Sequence, residues 1–110
     1  MVDAKEGFEV MKENFQPEVA KDFKKRVIVQ YNIPGTGGGT WQVIFDNGEM
    51  EIVEGEKEKA VLKFNYEDAE SFVGIQKGEI DPIQAYTTAK LRIEGPTALA
   101  QKIGEIFGAV

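Results

Sequence analysis

The chain has 110 residues, 42% of them hydrophobic and 29% charged, with 13 Lys and Arg against 19 Asp and Glu for a net charge of −6. A chain of this length is expected to form one domain, residues 1–110, that buries roughly two thirds of its unfolded surface, and its acidic balance disfavours nucleic acid as a partner. With no cysteine and no histidine, disulfides, thiolate nucleophiles, Ser-His catalysis and imidazole metal sites are excluded.

No apolar run approaches the ~20 residues of a membrane span. The polar start Met1-Val2-Asp3-Ala4-Lys5-Glu6 does not read as a signal peptide. Phe8, Met11 and Phe15 then follow helical spacing. Pro17 opens a second short helix with Val19, Ala20 and Phe23 turned inward. Lys21, Lys24, Lys25 and Arg26 place four cations within six residues. They complement a helix C-terminus, hold an anionic headgroup at a pocket mouth, or dock the chain transiently on an anionic membrane.

Val27, Val29, Tyr31 and Ile33 share one face of a first strand. The run Pro34-Gly-Thr-Gly-Gly-Gly-Thr40 reads as a flexible strand connection, with a lid or an anion nest as the other use. It lacks the Lys-Ser/Thr ending of a phosphate loop and leads into a strand. Asn47-Gly48 is a two-residue hairpin signal. If Asp46 faces Glu49, then Phe45 faces Met50, Val43 faces Ile52 and Trp41 faces Glu54, so large apolar groups share one side. Ile44 with Glu51 and Gln42 with Val53 take the other.

Asp46, Glu49, Glu51, Glu54, Glu56 and Glu58 crowd this hairpin without the spacing of a calcium loop, and read as a solvated edge that discourages strand pairing. Acid–base work by a carboxylate pair would need one of them in a cleft with a shifted pKa. A fourth strand carries Ala60, Leu62 and Phe64, and Asn65 reads as the cap of a helix from Tyr66 or Glu67 to Lys77. Gly78 ends that helix, Asp81-Pro82 restarts one, and Leu91 and Ile93 alternate with charged residues as a strand. Gly95-Pro96 leads to a last helix with Leu99, Ile103, Ile106 and Phe107 on one stripe. The order is that of an α+β domain: a mainly antiparallel five-stranded sheet covered by helices on one face.

Gly78, Asp81, Pro82, Ala85, Tyr86, Lys90, Leu91, Ile93, Gly95 and Ala100 together resemble the sterol carrier protein 2 (SCP2) lipid-binding family. Ala89 stands where that family usually has Gly, and its methyl narrows any space beside it. The resemblance implies a tunnel between sheet and helices that holds one acyl chain or sterol-like molecule, without catalysis and without a cofactor. Carried over by position, the lining is Phe72, Ile75, Ile80, Ile83, Tyr86, Leu99, Ile103, Ile106 and Phe107, with Trp41 and Val43 on the sheet side; from the basic cluster, Lys24, Lys25 and Arg26 are the headgroup candidates. The expected partner is a hydrophobic small molecule: fatty acid, acyl-CoA, phospholipid or sterol-like. The segment from Asp81 is the expected gate. Gly108-Ala109-Val110 is not the peroxisomal tripeptide that eukaryotic relatives can carry, and a cytoplasmic monomer or weak dimer is expected. Two other readings remain: an enzyme or accessory factor that presents an acyl thioester, and an interaction module with an apolar groove.

Overall fold

Local signals place each element where its end groups are satisfied. The computed structural model describes residues 2–21, 23 and 25–107. Helix α1 (Ala4–Asn14) starts at Asp3, whose carboxylate accepts from the Lys5 amide, and buries Phe8 and Met11. Helix α2 (Pro17–Ala20) has Pro in its first turn. Four strands follow: β1 (Val27–Ile33), β2 (Gly39–Asp46), β3 (Glu49–Glu54) and β4 (Leu62–Tyr66). Helices α3 (Ala69–Gln76) and α4 (Pro82–Thr87), strand β5 (Leu91–Glu94) and helix α5 (Thr97–Ile106) complete the order.

The sheet order is β3-β2-β1-β4-β5. The hairpin register is the expected one: Trp41 opposes Glu54, Val43 opposes Ile52, Phe45 opposes Met50 and Asp46 opposes Glu49. Asn47 and Gly48 both have positive φ, 57° and 84°, the requirement of the tight turn whose twist matches the strands. β1 pairs antiparallel with β2 and parallel with β4, so one parallel pair sits at the centre of an otherwise antiparallel sheet. The β3–β4 connection and its loop reach the far side of β1 to make that pairing.

Asn65 lies in β4 instead of capping a helix. Asp68 caps α3, accepting from the Ser71 amide at 2.8 Å. The strand runs on through Tyr66 because Leu62, Phe64 and Tyr66 alternate into the core.

The two sheet faces differ. Val29, Tyr31, Ile33, Val43, Phe45, Leu62, Phe64 and Tyr66 join the buried cluster with residues of α1, α3 and α5. On the opposite face, Gln42 and Gln30 are buried beneath the segment 55–61. Gln42 Oε1 accepts from the backbone N–H groups of Lys57 and Glu58, both at 3.1 Å, and its Nε2 donates to the Glu58 carbonyl at 2.7 Å. The chain of amides continues from Gln42 to Gln30, Asn32, Asn65 and Glu94 at 2.7–3.1 Å.

Candidate functional site

The layer between sheet and helices is built from two groups of aromatic rings with an aliphatic row between them. On the sheet, Trp41, Tyr31, Phe64 and Ile93 stand side by side in register. Phe8 of α1 and Phe72 of α3 close over them, 4.7 Å apart between ring centroids. Phe8 lies 4.9 Å from Trp41 and Phe72 lies 5.0 Å from Tyr66. At the other end, Phe15, Phe23 and Phe107 surround Phe45 at 5.6–6.4 Å. Two residues along each strand from the first row, Val43, Val29 and Leu62 form a fully buried row with no rings. Ile103 and Ile106 of α5 belong to the same cluster.

Glycine controls how closely the helices approach. A Cβ on Gly7 would lie 2.5 Å from the Phe72 ring, so this position lets α1 settle onto α3. A Cβ on Gly74 would meet Ile80 at 2.6 Å. Ile80 is thereby held half-buried against α3.

The lining candidates separate into two sets. Val43, Phe72, Ile75, Ile103, Ile106 and Phe107 are buried in the layer, and Trp41, Ile80 and Leu99 are half-buried against it. Ile83 and Tyr86 stand instead in solvent, 73% and 59% exposed. The reason is the geometry of α4: at six residues it turns Ala85 inward and leaves these two on its outer side. Gly78 (φ 80°) precedes α4 and Ala89 (φ 63°) follows it. For Ala this left-handed conformation is strained by about 1–2 kcal/mol. The Lys90 amide bonds the Ala85 carbonyl at 2.8 Å, and the Lys90 carbonyl accepts from the Glu67 amide at 2.9 Å. These bonds fix the C-terminal end of α4 to the sheet.

Of the basic cluster, Lys24 lies outside the described residues. Arg26 is engaged by Glu58 and Asp46, and its hydrogen bond to Glu58 raises its pKa further. Lys25 is exposed. The Lys21 methylenes lie over the hairpin turn, 3.0 Å from where a Gly48 Cβ would stand.

Two clefts open at the rim of the layer. One of about 530 Å³ is lined by Asn32, Ile33, Gly39, Thr40, Asn65 and Tyr66 with the Pro34-Gly35 turn. The other, of about 600 Å³, lies between the end of α1, the start of α2 and Phe107. Between sheet and helices the rings themselves occupy the space. Tyr31 and Tyr66 are stacked 6.2 Å apart, and burial pushes both phenols well above the ordinary tyrosine range. Hydrogen bonding to Glu6 likewise raises Lys77. Among the described residues no cluster of three or more Asp or Glu is placed to hold a metal ion, and no helix is long and apolar enough to cross a membrane.

Sequence reasoning passed over Phe8, Tyr31, Phe64 and Tyr66 as lining, although they form much of the first ring group. Strand alternation carried the signal: Leu62, Phe64 and Tyr66 recur at period two and so share the face of Tyr31.

The model of the SCP-2 sterol transfer family matches residues 8–108. Hydroxysteroid dehydrogenase-like protein 2 of Rattus norvegicus is 26% identical over 102 residues, covering 93% of this chain and 19% of that protein. The chain thus spans about a fifth of the length of that relative. The solution structure of the sterol carrier protein domain 2 of Helicoverpa armigera superposes with a TM-score of 0.70 at 19% identity, covering 94% of this chain and 86% of the other. The solution structure of palmitated SCP2L2 from Aedes aegypti gives 0.61 at 20% identity, with 90% and 92% covered.

Proposed function

The chain belongs to the SCP-2 sterol transfer family, and from that premise we propose that it binds and transfers lipid, taking one acyl chain or similar apolar molecule between sheet and helices without chemically altering it. The observation that carries this is α4. Two large apolar side chains, Ile83 and Tyr86, stand in solvent at the rim of a buried apolar layer, on a short helix bounded by left-handed residues Gly78 and Ala89. Covering these two side chains with an apolar tail removes their surface from water, which is favourable. Swinging α4 away lets a tail enter along the aliphatic row of Val43, Val29 and Leu62, and its return lays Ile83 and Tyr86 over the tail.

The energetics suffice. Each methylene transferred from water contributes about 0.8 kcal/mol, so a tail of about 16 carbons supplies roughly 12 before ordering costs. Micromolar affinity requires about 8 kcal/mol. An apolar slot separates neighbouring chain lengths only weakly, so a range of acyl ligands is expected, palmitate among them in view of the palmitated Aedes aegypti fold relative.

A second reading is favoured by the matched relative of about five times this length, which is dehydrogenase-like. In it the same pocket presents an apolar substrate to a neighbouring enzyme. A membrane encounter, by whatever patch, serves the loading step in both readings.

Uptake of a fluorescent fatty acid tests the proposal. The native chain should bind close to one per molecule. Ile83→Lys, at an exposed position that leaves folding intact, should weaken uptake about tenfold, since it removes an apolar side chain worth about 1.5 kcal/mol or more when covered. Equal uptake by the variant would remove α4 from the site, and no uptake by the native chain would refute lipid binding.

A further inference from the structure

Trp41 Nε1 is the buried side-chain polar atom that has no hydrogen-bond partner among the described residues. Its neighbours do not supply one. Phe8 covers the ring at 4.9 Å, and Gly39 flanks the N–H, where a Cβ would lie 3.2 Å from Nε1. Among the described residues, nothing apart from the indole lies within 4 Å of that Cβ position, so no side chain stands between the N–H and the open side of Gly39. The same glycine belongs to the wall of the cleft of about 530 Å³, beside Thr40, Asn32 and Asn65.

From this geometry we infer that the indole N–H of Trp41 is the polar anchor of the lipid site, and that it takes an uncharged oxygen acceptor, an ester carbonyl or a hydroxyl, at the head of the bound molecule. This rests on the lipid-binding reading. A buried donor without a partner is unfavourable, and a ligand oxygen that reaches the N–H past Gly39 removes that cost while its tail follows the core.

The charge around the site ranks an anionic head, the carboxylate of a free fatty acid included, below an uncharged one without excluding it. Glu54 stands directly across β3 from Trp41 on the same face. Asp3 lies against Gly37, two residues before Gly39, and its carboxylate already caps α1. The Ala4 amide is likewise taken, by the Gly37 carbonyl at 2.7 Å, so the helix end offers an anion little. The tail then starts beside Tyr31 and Phe8 and passes into the aliphatic row of Val43, Val29 and Leu62. This fixes the direction in which a lipid lies.

Trp41 is the single tryptophan, so one indole resonance reports the anchor. The native chain is titrated with methyl laurate, laurate and dodecane, each delivered from cyclodextrin, while isoleucine methyl shifts report occupancy of the core. Methyl laurate should move the indole N–H downfield and bind about tenfold tighter than dodecane, with laurate weaker than methyl laurate. Dodecane should shift the methyls and leave the indole N–H without a new acceptor. Trp41→Phe, which keeps a ring and removes the donor, should bind methyl laurate and dodecane equally. Methyl shifts with a stationary indole N–H, or an ester preference retained in Trp41→Phe, would overturn the anchor and leave lipid binding standing. Tighter binding of laurate would overturn the uncharged head. The absence of methyl shifts with all three probes would overturn both inferences together.

Discussion

Val29 and Gln30 are neighbours in β1 and both are buried, yet different physics holds them. Val29 meets Val43 and Leu62 in register and contributes area, which has no direction. Gln30 hydrogen bonds Gln42 and Asn32, and each of those bonds needs its partner at one distance and angle. On the proposed reading, the face built from area parts and re-forms around a tail of variable length. The face built from amides holds its register and pins the segment 55–61. The proposed carrier role would use this combination, one side of the sheet staying fixed while the layer on the other side opens.

Four changes would sharpen or break this contrast. Phe72, fully buried and in ring contact with Phe8, Tyr31 and Tyr66, should cost about 3–5 kcal/mol as Phe72→Ala. A urea transition displaced by less than half that amount would mean that the layer collapses readily around the gap. Gln42→Leu keeps the bulk but strips the partners of Lys57 N, Glu58 N, the Glu58 carbonyl and Gln30. It should cost about 1–3 kcal/mol, with faster amide exchange at Lys57 and Glu58 and little change in Trp41. Unchanged exchange there would show that the amide chain does not hold the loop.

The third test uses pH. Tyr31 and Tyr66 have folded pKa values raised by burial. Their contribution is complete below the unfolded value of about 10 and is lost as pH rises above it, by about 1.4 kcal/mol per pH unit for each tyrosine. The double variant Tyr31→Phe, Tyr66→Phe should flatten this alkaline decline. An equal decline in that variant would assign it to other groups. The smallest effect is at Ala89, whose φ of 63° suits glycine. Ala89→Gly relieves strain and adds unfolded-state freedom, so a net gain below about 1 kcal/mol is expected, and a loss by thermal melting would place α4's attachment elsewhere.

Much of this architecture is legible where local chemistry decides. Asn47-Gly48 sets the β2–β3 register, and Asp81 with Pro82 starts α4 as its residue types require. The parallel β1–β4 pair is not local: nothing near Val29 or Leu62 encodes which edge of β1 the fourth strand takes. Asn65 looks like a helix cap because its short amide suits one, but its bonds to Asn32 and Glu94 come from strands distant in sequence. The exposed Ile83 and Tyr86 share the helical spacing of a buried stripe, and only the shortness of α4 and its placement at the sheet end turn them outward. The orphan N–H of Trp41 was invisible for the same reason, since it depends on Gly39 and Phe8 meeting around it.

Native mass spectrometry on the chain purified without detergent, followed by organic extraction of whatever it carries, tests the central claim most directly. The account predicts a lipid with an acyl or comparable apolar tail at close to one per chain, or uptake of one from added fatty acid. A bare mass that persists after incubation with long-chain lipids would contradict it, leaving the ring-filled layer as a closed core.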